Sequence, residues 1–124
     1  MIRNDTVELD GIQLVGIDDA EPKTQVGKIL QTLQPDPHRY RILLYHRPDG
    51  ARDAAAWGVN LMLCGHTHAG QIVPFNLLVK RVFPRIRGIY RVDGLTLYVS
   101  PGTGTWGPIL RLGSRSEISM MRLG

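Results

Sequence analysis

Two short apolar segments, 40–45 and 61–64, each run into a histidine-bearing turn, and a stretch with helical character separates them. Short apolar runs of this kind predict strands that are buried on both faces of a sheet. The stretch between them opens on Pro48 and Asp49 and ends at Gly58, as a short helix does. A strand, a helix and a second strand form a βαβ unit, in which the two strands run parallel. The sequence therefore predicts an α/β fold that contains a parallel strand pair.

Antiparallel hairpins are predicted on either side of this unit. Segments 7–16 and 88–100 each carry an Asp-Gly dipeptide between apolar runs, and this dipeptide favours the tight turns that join antiparallel strands. A helix is predicted from about residue 21 to residue 33, and a final strand over 117–123. Together these elements predict a mixed sheet flanked by helices, in a single domain over residues 1–124.

Two acidic residues and one histidine in the first third of the chain have local interpretations. Asp18 and Asp19 precede the first predicted helix, and we interpret them as its cap, with acidic metal ligands as the alternative. His38 belongs to a proline-containing loop and is expected to be a surface residue.

The composition limits the class of protein and its expected location. Of the 124 residues, 43% are apolar and 21% are charged, which is typical of a globular protein. No apolar run approaches the ~18 residues of a membrane span, and the opening residues lack a signal-peptide pattern. We therefore expect a cytoplasmic or peripheral membrane protein. The stretch Lys80–Arg87 mixes basic and apolar residues, and we interpret it as a solvated loop or a short helix packed by its apolar side. The alternative is contact with an anionic substrate or an acidic membrane surface. The net charge is +4 and the arginines are scattered, so there is no nucleic-acid-binding signal.

Three histidines are the candidate functional residues. His46 and His66 follow neighbouring strands of the predicted βαβ unit, and the carboxyl ends of parallel strands meet at one edge of a sheet. Gly65 permits the sharp bend that brings His66 and His68 to the same point. Imidazole is a common metal ligand, whereas a single histidine after a strand is more often structural. As a set, His46, His66 and His68 predict a metal site.

The residues of this region resemble the second half of calcineurin-like metallophosphoesterases. The specific part of the resemblance is the Gly-His-Thr-His-x-Gly-Gln segment 65–71 with His46-x-Pro-Asp upstream. Three later segments resemble one subgroup, bacterial phosphodiesterase-like hydrolases often associated with membranes: Gly88-Ile-Tyr-Arg, Leu97-Tyr-Val-Ser and Gly102-x-Gly104.

The resemblance implies a two-layer β-sandwich flanked by helices and a pair of divalent metal ions, such as manganese, iron or zinc. His46 and His66 would bind one ion and His68 the other. The metals would polarise a phosphoester and activate water for in-line attack. The implied substrate is a phosphoester, with a lipid-linked one among the candidates.

The family has three earlier motifs, Asp-x-His, Gly-Asp-x-x-Asp and Gly-Asn-His-Asp/Glu. None of them occurs in this sequence in a fitting context. The chain therefore resembles the C-terminal half of such an enzyme, and a dimer or a missing N-terminal half are its expected partners. Alone it is expected to bind at most one metal weakly and to show little activity. A mononuclear zinc hydrolase and a non-catalytic remnant or assembly module are the alternatives.

Overall fold

A computed structural model of the chain describes residues 1–20, 23–65, 87–101 and 118–123. In these ranges the strands form one six-stranded sheet in the order β1-β2-β3-β4-β6-β5. In chain order the elements are β1 (Asp5–Leu9), β2 (Ile12–Gly16), α1 (Gln25–Leu30), β3 (Tyr40–Leu44), α2 (Ala51–Trp57), β4 (Leu61–Cys64), β5 (Gly88–Val92) and β6 (Leu95–Val99).

The sheet is mixed, as the sequence predicts. Strands β1 and β2 pair antiparallel, as do β5 and β6, whereas β2, β3, β4 and β6 are parallel neighbours. Both hairpins turn on their Asp-Gly dipeptide: φ is 47° and 80° at Asp10 and Gly11, and 49° and 88° at Asp93 and Gly94. Two consecutive positive φ values fit the right-handed twist of the flanking strands. The α/β class, the βαβ unit and both hairpins are confirmed.

Both helices cover the same face of the sheet. Helix α1 connects β2 to β3 and α2 connects β3 to β4, so the two crossovers advance along the sheet in the same direction. Crossovers with the common right-handed connection then place both helices on one side. Their apolar residues enter one core with the strand residues that face them. That core contains Val15, Val26, Leu30, Leu43, Ala51, Ala54, Met62 and Leu97, all buried.

The opposite face of the sheet is apolar, with Ile42 and Leu61 buried at its centre and other apolar residues exposed around them. Val7, Leu9, Tyr40 and Leu44 lie on it and are each more than a third exposed. In the described part of the chain, Ile2, beside Gly16, and residues 118–123 lie against this face. They include Ser119, which hydrogen-bonds to the hydroxyl of Tyr98, and Arg122 and Leu123, which line a groove with Ile12 and Tyr40. We call this surface the open face.

Three predicted bounds differ from the structure. Residues 118–123 form no strand, so the predicted final strand is wrong over that range. Helix α1 spans Gln25–Leu30 and is shorter than predicted. Helix α2 begins at Ala51, after a left-handed Gly50. Neither described helix has the length and apolar character that crossing a membrane requires.

Candidate metal centre

The carboxyl ends of β3 and β4 stay paired beyond the last residue of each strand. The amide of Tyr45 donates to the carbonyl of Leu63 at 3.1 Å, and the amide of Gly65 donates to the carbonyl of His46 at 2.9 Å. His46 therefore lies beside Gly65, and the residue that follows Gly65 in the sequence is His66. The backbone of His46 and that of Gly65 thus lie together at one edge of the sheet, as the sequence predicts for these two residues.

The structure describes one of the three predicted ligands. His46 is exposed and lies two residues beyond the end of β3. His66 and His68 lie outside the described residues, so their part in a metal site stays a prediction. Within the described ranges, no three histidine, cysteine or acidic side chains are grouped closely enough to hold a metal.

A second set of contacts joins the end of β3 to the residues that follow β2. The guanidinium of Arg47 pairs with the carboxylate of Asp19 at two points, Nε to Oδ1 at 2.8 Å and Nη2 to Oδ2 at 3.2 Å. Tyr45 is buried, which raises the pKa of its phenol, and the phenol lies near Asp19 and the backbone of Ala20. Both sequence neighbours of His46 thus contact the 17–20 segment.

The interpretation of Asp18 and Asp19 as a helix cap is wrong. Helix α1 has Thr24 at its N-cap position, and no side chain caps it. Asp18 instead pairs with Arg3 at 2.9 Å on the surface. Arg47 is a residue of this region that the sequence pattern did not single out, because its partner Asp19 lies 28 residues away in the sequence.

Cys64, the last residue of β4, is not a candidate ligand. Its thiol is buried and donates to the carbonyl of Tyr98 at 3.5 Å. Burial, followed by the nearby carboxylate of Asp49, raises its pKa to about 12. Because the thiolate is the form that binds metals, this thiol packs as a small apolar group.

Two other sequence features lie away from this edge or outside the described ranges. The carboxylate of Asp36 accepts a hydrogen bond from the amide of His38 at 2.9 Å, which closes a surface turn and lowers the pKa of Asp36. His38 is exposed, as expected. The basic stretch Lys80–Arg87 lies outside the described residues apart from Arg87, which is exposed.

Comparison with known proteins links the whole chain to named relatives. An uncharacterized metallophosphoesterase of Helicobacter pylori strain J99 is 39% identical over 99% of the chain. A bovine transmembrane protein with metallophosphoesterase domain is 42% identical over 92% of it. An uncharacterized metallophosphoesterase of Aquifex aeolicus is 32% identical over 99%.

The relatives are longer than the region they share with the chain. The matched region is 35% of the Helicobacter protein, 28% of the bovine protein and 50% of the Aquifex protein. The chain thus spans between about a quarter and a half of these relatives. No family model and no solved structure matches it.

Proposed function

We propose that this chain, which belongs to the metallophosphoesterase family, supplies the histidine side of a metal-dependent phosphoester hydrolase site. The observation that carries the proposal is the hydrogen bond from the amide of Gly65 to the carbonyl of His46. It joins the turn that bears His46 to the Gly-His-Thr-His segment 65–68 at the carboxyl edge of the sheet. Open α/β sheets bind their ligands at this edge.

The donor groups at this edge fit a divalent transition metal. His46, His66 and His68 would hold it through imidazole nitrogen, which suits zinc and iron. When bound, such an ion polarises a phosphoryl oxygen and makes water a stronger nucleophile. The task of the chain's own residues is to hold the imidazoles in place, which the backbone bond between the two turns supports.

Charge limits how many ions the chain binds alone. Three neutral imidazoles bring no negative charge to offset two divalent cations that in a two-metal site lie ~4 Å apart. We propose that the chain by itself binds at most one ion, weakly, and hydrolyses phosphoesters slowly. Carboxylates for a second ion would come from the part of the relatives' polypeptide that has no counterpart here.

The open face is the proposed site for the rest of such a polypeptide. It presents Val7, Leu9, Tyr40 and Leu44 to solvent, although apolar side chains gain free energy when another surface covers them. The chain corresponds to 35% of the Helicobacter relative, so most of that polypeptide lies outside the shared region. We propose an N-terminal half as the occupant, with a second copy of the chain as the competing arrangement.

The substrate is proposed only as a phosphoester, with lipid-linked phosphodiesters as the favoured group. The support is indirect: Lys80–Arg87 combines basic and apolar side chains, and the bovine relative is named a transmembrane protein. Peripheral contact with an acidic membrane would bring the site to such substrates.

Metal stoichiometry tests the proposal. The purified chain should bind at most one zinc or manganese ion in titration calorimetry and hydrolyse bis-p-nitrophenyl phosphate slowly. His46→Ala, His66→Ala and His68→Ala should each weaken binding, whereas His38→Ala, in its surface turn, should not. Two tightly bound ions with rapid hydrolysis would contradict the one-ion proposal. A chain that binds no metal, with the three variants folding like wild type, would favour a non-catalytic module instead.

A further inference from the structure

His46 lies between two residues that are each anchored to the same segment. On one side Tyr45 is buried, and its phenol lies near Asp19 and the backbone of Ala20. On the other side Arg47 forms a two-point ion pair with Asp19. The amide of Ile17 adds a hydrogen bond to the carbonyl of Leu44 at 3.2 Å. The backbone that carries His46 is therefore held against the end of β2 on both sides.

We propose that Asp19 is a positioning residue for His46: through its ion pair with Arg47 it fixes the turn after β3, so that His46 meets the metal in the binding geometry. This inference rests on the proposed function and adds a residue to it. In this scheme Asp19 acts through Arg47, whose guanidinium lies within 3.2 Å of both of its carboxylate oxygens.

The neighbouring aspartate shows why Asp19 in particular has this role. Asp18 pairs with Arg3, whose side chain is 66% exposed, so water screens that pair and it constrains little. The side chain of Arg47 is only 15% exposed: its Nη2 donates a hydrogen bond to Asp19 at 3.2 Å, and its buried Nε lies 2.8 Å from the other carboxylate oxygen without hydrogen-bond geometry. A paired guanidinium in a less solvated position holds one geometry. Asp18 is therefore the matched control for Asp19.

In metal sites, a residue that orients a ligand without binding the metal itself has a measurable effect on metal affinity. Removing a group that orients a ligand typically weakens metal binding 10- to 100-fold. On this basis Asp19→Asn should weaken binding of Co²⁺, used as a spectroscopic probe, at least tenfold. Asp18→Asn should leave the affinity within about twofold of wild type.

Substitution of Arg47, the partner of Asp19, distinguishes a positioning effect on Co²⁺ affinity from an electrostatic one. Arg47→Met removes a positive charge beside a cation site, so a purely electrostatic effect would tighten Co²⁺ binding. Loss of positioning would weaken it instead. If the two residues act as a unit, the double variant Asp19→Asn/Arg47→Met should bind Co²⁺ no more weakly than either single variant.

The experiment follows the visible absorption of Co²⁺ during titration of the full chain, with thermal unfolding of each metal-free variant in parallel. Weaker binding in both Asp19→Asn and Arg47→Met, with the absorption bands of His46→Ala different from wild type, supports the inference. Wild-type affinity in Asp19→Asn, or tighter binding in Arg47→Met, overturns it while the proposed function stands.

Two further outcomes are also decisive. If Asp19→Asn does not fold, Arg47→Lys keeps the charge and loses the fork, and unchanged Co²⁺ affinity in that variant overturns the inference. If the wild-type chain binds no Co²⁺ at all, the proposed function fails and the role of Asp19 fails with it.

Discussion

The thiol of Cys64 couples the stability of the protein to alkaline pH. In the folded chain its pKa is raised to about 12, whereas an ordinary thiol has 9.0. As the pH rises the unfolded state therefore loses its proton first. The stabilisation that the buried thiol provides is complete below pH 9.0 and is lost toward pH 12.

The slope of this loss is the measurable quantity. Between the two pKa values it is about 1.4 kcal/mol per pH unit for one group. In urea unfolding of metal-free protein, Cys64→Ala should lose stability with rising pH more gradually than wild type does. Equal slopes in the two proteins would show that the thiol is not buried as described.

For single residues, the sequence predicted those roles that depend on immediate sequence neighbours. The Asp-Gly turns follow from local pattern, and the structure confirms them. The role of Asp19 does not follow from local pattern. An aspartate before a helix favours a cap, whereas its actual partner Arg47 is 28 residues away in the sequence. Only the parallel pairing of β2 with β3 brings these two residues together.

The contact between α1 and α2 depends on a residue without a side chain. Gly50, just before α2, has a φ of 75°, and a Cβ placed on it would lie 2.5 Å from the Cβ of Val26 in α1. Gly50→Ala should therefore combine a left-handed backbone penalty with an overpacked helix contact. We expect a loss of about 3 kcal/mol in the free energy of unfolding.

A second glycine isolates the backbone contribution. Gly11 has a similar φ of 80°, but no atom lies within 4 Å of where its Cβ would be. Gly11→Ala should thus cost only about 1 kcal/mol. Chemical denaturation of the two variants compares these values, and equal losses would mean that α1 and α2 do not approach closely at Gly50.

Elements were predictable where one stretch of chain carries all the information for its own structure. The hairpins and the βαβ unit contain their turns, caps and apolar periodicity within a few residues, and the structure has them. The segment 118–123 also contains apolar residues, but a strand requires a partner edge, which local pattern does not supply. In the structure this segment lies against the open face without strand pairing.

The open face governs how the whole molecule behaves in solution. Leu44 and Val7 are 39% and 43% exposed on it, so the isolated chain should self-associate as its concentration rises. Leu44→Thr combined with Val7→Thr should increase the monomer fraction in size-exclusion chromatography and lower the fluorescence of a bound hydrophobic dye. The β-branched residue suits the strand, so little loss of thermal stability is expected.

The control for this experiment removes an exposed apolar side chain that is not part of the sheet. Met120→Thr replaces a residue that is 98% exposed in the 118–123 segment. It should leave both measurements near wild type. Equal effects of the control and the double variant would mean that general hydrophobicity, and not the open face, causes the association.

Because β6 lies between β4 and β5, the pairing of the sheet is completed only after β6 has been synthesised. Strand β4 receives its second neighbour only when β6 is available, and their contact between Cys64 and Tyr98 spans 34 residues of sequence. At about 5–20 residues per second, a ribosome takes roughly 2–7 s to extend the chain over that distance. For those seconds the newly made β4 has an unpaired, apolar edge, so translation speed and chaperones that bind nascent strands should affect the yield of this protein.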